Sequence, residues 1–174
     1  MRRRRVKIAV CIKQVPDTTD VKIDPKTNTL IREGVASICN PFDEYAVEEA
    51  LRIKEKHGGE VHVITMGPPQ AIEVLKNALA VGADKVYLVS DRAFAGADTL
   101  ATAYTVAKTI KAVVGDVDLV ICGKQAIDGD TAQVGPGVAT RLGFPQLTYV
   151  SKVKEINFEK KKIIVERLLE HGRE

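Results

Sequence analysis

An open α/β sheet, doubly wound and mostly parallel, is the architecture this sequence predicts, and two patterns carry the prediction. From residue 6 to residue 145, short runs rich in Val and Ile alternate with longer stretches of helical periodicity. Gly and Pro stand where each strand must hand over to a helix. The bulk numbers agree: 174 residues, 45% hydrophobic and 28% charged, are enough to bury a core as one domain without disulfide or metal staples.

The first strand is expected over Val6–Ile12, followed by a loop, Lys13–Asp20, at its carboxyl end. Val21–Asp24 and Thr29–Arg32 flank a polar turn and predict a small β-hairpin on the surface. Asn40-Pro41-Phe42-Asp43-Glu44 marks a helix start, with Asn40 as cap and Pro41 in the first helical position. That helix turns Ala46, Val47, Ala50, Leu51 and Ile53 to the core and stops at His57-Gly58-Gly59. Glu60–Met66 is the next strand. The helix beyond Gly67-Pro68-Pro69 is expected to bury Ile72, Leu75, Leu79 and Val81 and to end at Gly82. A third strand, Lys85–Val89, leads through a small-residue loop, 90–97. Asp98 then caps a long helix bearing Leu100, Tyr104, Ala107, Ile110 and Val114. Residues 147–156 and 161–168 predict two further strands around a charged tip, Lys160-Lys161-Lys162.

The centre of the chain is Val117–Pro136. Its first six residues suit a buried parallel strand, Gly123 ends it, and a helix is expected near Thr131 with Asp130 or Thr131 as N-cap. Strand, glycine-bearing loop and helix N-terminus are the parts of an anion cradle, because the unpaired N–H groups and the positive dipole end face one point. The plainer alternative is an ordinary β-to-α connection. The loop is longer than such connections usually are, and Gly123, Ala126 and Gly129 would let a ligand approach the backbone. No P-loop or dinucleotide fingerprint is present. Asp128 and Asp130 oppose a bare phosphate unless they cap the helix or face away, and they make a weak metal signal.

The remaining chemistry is sparse. The formal net charge of +3 includes the run Arg2–Arg5, and the rest of the chain sums to −1, which argues against nucleic-acid binding. Residues 1–5 are expected to be a frayed, solvated terminus. Cys11, Cys39 and Cys122 are widely spaced and odd in number, as in a reduced cytoplasmic chain with buried thiols. His57, His62 and His171 form no metal-ligand pair, no nucleophile–base grouping is evident, and no apolar segment approaches membrane-spanning length.

Several segments together resemble the beta subunit of electron transfer flavoproteins: Lys13–Asp17, Asn40–Asp43, Ala46–Ala50, Met66–Pro68, Val81–Asp84 and Gly123–Gln133, in the family's order along nearly the whole chain. The resemblance implies a Rossmann-like, adenine-nucleotide-binding α/β domain, with the hairpin as an excursion. It implies pairing with an alpha subunit that carries the redox FAD. This subunit's own nucleotide would be AMP in carriers serving acyl-CoA dehydrogenases and a second FAD in the electron-bifurcating branch. The wording Val15-Pro16-Asp17 with Asp128–Pro136 is more similar to the bifurcating branch, so FAD is expected, with AMP as the alternative. By position, the cofactor-binding residues would be Cys11, Asn40, Pro41, Phe42, Asp43, Met66, Gly123, Lys124, Gln125, Ala126, Ile127, Asp128, Gly129, Asp130, Thr131, Ala132, Gln133 and Val134. The implied redox partners are an acyl-CoA dehydrogenase or a quinone-linked oxidoreductase, with NADH as another electron source. Relative to the family, residues 147–174 would be an incomplete β-rich end, with His171 where a small or acidic residue is usual, so a C-terminal truncation is expected. A non-redox ATP- or AMP-binding regulator of the universal-stress-protein type is the competing expectation. A hydrolase or ligase of the same broad fold lacks a nucleophile and a base.

Overall fold

The computed structural model describes residues 5–17 and 37–174. The expected hairpin and most of the arginine run lie outside these residues. In chain order the elements are β1 (Lys7–Cys11), β2 (Gln14–Pro16), β3 (Ser37–Cys39), α1 (Pro41–His57), β4 (Glu60–Met66), α2 (Ile72–Val81), β5 (Lys85–Val89), α3 (Thr99–Thr109), β6 (Leu119–Cys122), α4 (Val134–Leu142), β7 (Val150–Asn157), β8 (Lys162–Leu169) and β9 (Gly172–Arg173). A π turn over Ile110–Val114 finishes α3.

Four parallel strands form the main sheet in the order β5-β4-β1-β6. Alternation along each strand feeds two cores. Ile8, Val10, Val61 and Val63 point to one face, where α1 and α2 supply Ala46, Val47, Ala50, Ile53, Val74, Leu75 and Ala78. Ala9 and Ile64 point to the other, under Ala103, Val106, Ala107 and Ile110 of the α3 segment and Val138 of α4. Helices on both faces make the sheet doubly wound, as expected.

The order has a consequence for function. From β1 the chain moves outward through β4 to β5, then crosses back to place β6 on the other side of β1. The winding direction therefore reverses between β1 and β6. Beyond the carboxyl ends of those two strands the loops diverge and open a crevice.

Several local expectations are corrected. The loop after β1 contains a strand, because β2 pairs antiparallel with β3 (Gln14 opposite Cys39, Pro16 opposite Ser37). β6 was expected to be buried but is half-buried along its length, since it ends the strand order and has one neighbour, β1. On α2 the buried stripe is Val74, Leu75 and Ala78, whereas Leu79 is 44% and Val81 63% exposed. On α3 the stripe is Ala103, Val106 and Ala107, and Leu100 and Tyr104 stand in solvent. The buried stripe of α2 mixes Val74 and Leu75 with Ala78, and that of α3 is mostly alanine, a choice that apolarity counts alone do not make. The thiols are half-buried, and all three are free.

The end of the chain folds as expected into antiparallel strands: β7 and β8 pair from Val150–Arg167 to Asn157–Lys162, with β9 added beside β8. The corrected α2 stripe gives a test. Leu75→Ala should cost about 2–5 kcal/mol in denaturant unfolding, and Leu79→Ala should stay within about 0.5 kcal/mol. Equal losses at the two sites would contradict the packing described.

Candidate functional site at the carboxyl ends of β1 and β6

Three chain segments meet above the β1–β6 boundary: the residues following β1, the start of α1, and the long loop from β6 to α4. Asn40 and Asp43 hold them together. Asn40 occupies the N-cap position of α1, and its carbonyl accepts from Asp43 N–H (2.8 Å) and Glu44 N–H (3.3 Å). Its side chain does not cap the helix, contrary to expectation. The amide reaches the switch loop instead: Nδ2 donates to Gln125 O at 2.8 Å, and Oδ1 accepts from Ile127 N–H at 3.1 Å. The Asn40 N–H donates to Lys13 O at 2.8 Å. One residue, 1% exposed, thus pins both loops, the one after β1 with its backbone and the one after β6 with its side chain.

Asp43 performs the same task with a carboxylate. Oδ2 accepts from Lys13 N–H at 2.7 Å, and the carboxylate also accepts from Gly123 N–H. Gly123 is required by this approach, since a Cβ there would lie 2.1 Å from Asp43 Oδ1 and 2.8 Å from the Phe42 carbonyl carbon. The expectation that Gly123 leaves room for a ligand is therefore corrected: the space is filled by α1. Burial pushes the Asp43 pKa from 3.8 up to about 6, against the opposing pull of the Asn40, Lys13 and Gly123 hydrogen bonds.

Lys13 closes the network. Its Nζ donates to both oxygens of Asp128, at 2.6 and 2.8 Å, and the Asp128 side chain is 4% exposed. Lys13 belongs to the expected wall of the site, but it was not among the residues singled out as binding. Its signal was positional, as a cation two residues past the end of a strand that flanks the reversal.

The remaining predicted residues divide clearly. Cys11 and Cys122 are register partners at the ends of β1 and β6. A hydrogen bond to Cys122, together with burial, raises the Cys11 pKa well above its ordinary value, and burial lifts Cys39 to about 12. Both are neutral thiols rather than nucleophiles. Asp130 accepts from Gln125 Nε2 at 2.7 Å, and Gln133 Oε1 accepts from Thr99 Oγ1 at 2.9 Å. Met66 stands at the end of β4, packed against the second core, and is not joined to the network by any hydrogen bond described. Lys124 turns away, its Nζ 5.2 Å from the Tyr149 ring centroid near the start of β7. Pro41 fills the first position of α1.

The helix expected near Thr131 begins at Val134, with Gln133 rather than Asp130 or Thr131 at its N-cap. The reason is local: Asp130 (φ 51°) and Ala132 (φ 54°) are left-handed, which no α-helix accommodates. Non-glycine residues in that region cost about 1 kcal/mol each and gather where a loop shape is needed. Neither Asp128 nor Asp130 caps α4. Asp128 is offset by the Lys13 ammonium, whereas Asp130 is held by the neutral Gln125 amide and keeps its charge.

What the loop presents to solvent is therefore main chain. Val134 and Gly135 open α4, and first-turn N–H groups have no partner within a helix. Gly129 is exposed, and a Cβ there would meet nothing within 4 Å. Thr65 Oγ1, buried one residue before Met66, has no partner among the described residues, the kind of group a ligand or water satisfies. Helix-start donors beside the charge-compensated Asp128 suit the phosphate of a nucleotide. No group of three metal-ligating side chains occurs among the described residues, and no described helix is long and apolar enough to cross a membrane.

Fold and crevice define the class: a parallel α/β protein with a candidate crevice where the winding reverses. Residues 27–174 match the electron transfer flavoprotein domain, and the chain belongs to that family. It is 61% identical over 167 residues to electron transfer flavoprotein subunit beta of Thermoanaerobacterium thermosaccharolyticum, covering 96% of this chain and 62% of that one. It is 60% identical over 170 residues to the CarD subunit of the caffeyl-CoA reductase-Etf complex of Acetobacterium woodii (97% and 63% covered). Against protein FixA of Azotobacter vinelandii the identity is 55% over 165 residues (94% and 59%). The chain spans about three fifths of the length of the curated relatives it matches.

Two outcomes are expected from the network. Lys13→Met leaves the Asp128 carboxylate without its cation and should cost about 1–3 kcal/mol, with much of the loss restored in Lys13→Met/Asp128→Asn. A double variant no better than Lys13→Met would refute the pairing. The second concerns pH. Because Asp43 binds its proton more tightly folded than unfolded, stability should fall as pH rises from about 4 to about 6 and level off above. Asp43→Asn should remove that component from the pH profile of unfolding.

Proposed function

We propose that this chain works as a beta-type subunit of an electron transfer flavoprotein, binding FAD in the β1–β6 crevice and acting with an alpha subunit. The observation that carries this reading is the helix start at Val134–Gly135 beside the exposed Gly129, in a loop pinned at 125 and 127 by Asn40 and at 128 by Lys13. Family membership supports the same assignment. In this reading the N–H groups of Val134 and Gly135, with the dipole of α4 behind them, hold phosphate oxygens. Asn40 and Asp43 keep the loop in register, and the neutral Cys11 stands at the end of β1 without adding charge.

When bound, the flavin supplies the one- and two-electron chemistry. The chain orients it, limits water and sets the electrostatic surroundings. Electrons would pass between a dehydrogenase or NADH and an acceptor such as a quinone-linked oxidoreductase. The resemblance of Val15-Pro16-Asp17 and Asp128–Pro136 to the bifurcating branch favours that type, and in this reading the subunit works in the cytoplasm. A stress-type nucleotide regulator is not favoured, since the match over 27–174 is to the electron-carrier family.

The test is to co-express the chain with an alpha subunit, denature the complex, and identify the released nucleotide by absorbance and chromatography. FAD beyond one per alpha subunit is expected. AMP alone would move the chain to the single-flavin carriers, and ATP without flavin would overturn the redox reading. Gly129→Val should lower nucleotide retention while changing stability by no more than about 0.5 kcal/mol, because its added atoms enter open space. Unchanged retention would remove this segment from the site.

A further inference from the structure

On the far side of the second core, α3 and α4 pack together and present a face of unusual charge. The sequence has no acid from Thr99 to Gly115, and none from Thr131 to Lys154. A shallow cleft between the two helices is lined by Tyr104, Ala107, Lys108, Lys111 and Arg141. Tyr104, 53% exposed, is its centre. Lys108 Nζ lies 5.6 Å from the ring centroid and Arg141 Cζ 5.9 Å. Lys111 Nζ donates to Arg141 O at 3.1 Å and closes one end. None of these three cations makes an ion pair with a described acid, whereas Lys13, Arg52, Lys54, Lys76, Lys85, Lys154, Arg167 and Arg173 all do.

Three like charges around one ring repel one another, and only solvent offsets this in the isolated chain. Leu100, 64% exposed, lies one turn before Tyr104 and extends the patch with apolar surface. An aromatic residue and an arginine beside an exposed aliphatic side chain, ringed by one sign of charge, are the composition of a binding hot spot. From this charge complementarity we propose that the α3–α4 face docks an acidic protein surface, one that presents carboxylates on either side of an apolar side chain. The carboxylates pair with Lys108, Lys111 and Arg141, and the apolar group rests on Tyr104 and Leu100. The cleft is open and shallow, which suits a protein surface better than an enclosed small anion. This face is separate from the β1–β6 crevice, so the proposal does not depend on what the crevice binds.

The test uses the full chain and a fluorescein-labelled Glu-Glu-Leu-Glu-Glu peptide as probe, read by anisotropy at low ionic strength and at about 0.15 M salt. Salt-weakened binding is expected, with Kd rising about tenfold in Lys108→Ala/Arg141→Gln. Lys108→Glu/Lys111→Glu should lose the acidic peptide and gain a Lys-Lys-Leu-Lys-Lys peptide, while the thermal midpoint shows that each variant is folded. Binding that is indifferent to these substitutions overturns the proposal. Displacement by pyrophosphate at concentrations below those of unlabelled peptide overturns it as well, in favour of a small-anion site.

Discussion

The structure depends on a buried carboxylate that main-chain N–H groups hold at the first turn of α1. Asp43 gathers the backbone of Lys13 after β1 and of Gly123 after β6, the two strands between which the winding reverses. Without a clasp at that point the loops would leave the sheet in different directions, and each would have to order itself at its own entropic cost. Desolvation opposes the arrangement, as the raised pKa records, so the clasp holds only because its hydrogen bonds are made in full. Gly123 follows from it: the residue opposite a carboxylate this close can have no side chain.

The clasp explains why so few polar side chains of the switch loop are available to a ligand. Asp128 is committed to Lys13, Asp130 to Gln125, Gln133 to Thr99, and Asn40 to the backbone at 125 and 127. The loop is rigid because its polar groups are spent internally. Recognition by such a loop falls to backbone donors, whose positions are set by φ and ψ rather than by rotamers. The left-handed Asp130 and Ala132 belong to this economy, since strain in the main chain aims the following N–H groups.

How much of this was legible in the sequence follows from which forces are local. Strand and helix extents were legible where they rest on periodicity and on Gly and Pro: Glu60–Met66 and Lys85–Val89 fall on the expected residues, as do the helix ends at Gly58 and Gly82. The buried faces of α2 and α3 were partly missed, because Ala78 and Ala103 are buried but carry little apolar weight in a periodicity count. The site was legible as a region, since strand, glycine and helix start recur in order. Its internal bonding was not. Asn40 looked like a cap because Asn before Pro usually caps, and only the tertiary proximity of Gln125 and Ile127 redirects its amide. The start of α4 was misplaced for a related reason: Asp and Thr signal N-caps, but here the chain takes two left-handed residues first.

The two faces of the second core illustrate a division of charge that composition hides. A chain that is nearly balanced outside its N-terminal arginines pairs Asp128 with Lys13 at the crevice and carries no acid over Thr99–Gly115 or Thr131–Lys154. A crevice in which Asp128 is already matched receives an anion at a lower electrostatic penalty, and the donors it offers are main-chain dipoles. A helix face whose cations are unmatched carries repulsion until something anionic meets it. Both surfaces favour negative partners, by opposite means. The difference predicts their salt behaviour: recognition by backbone hydrogen bonds depends less on ionic strength than contact through exposed lysines. Ionic strength should therefore separate the two events in one preparation, leaving nucleotide retention nearly constant while the outer face releases its partner.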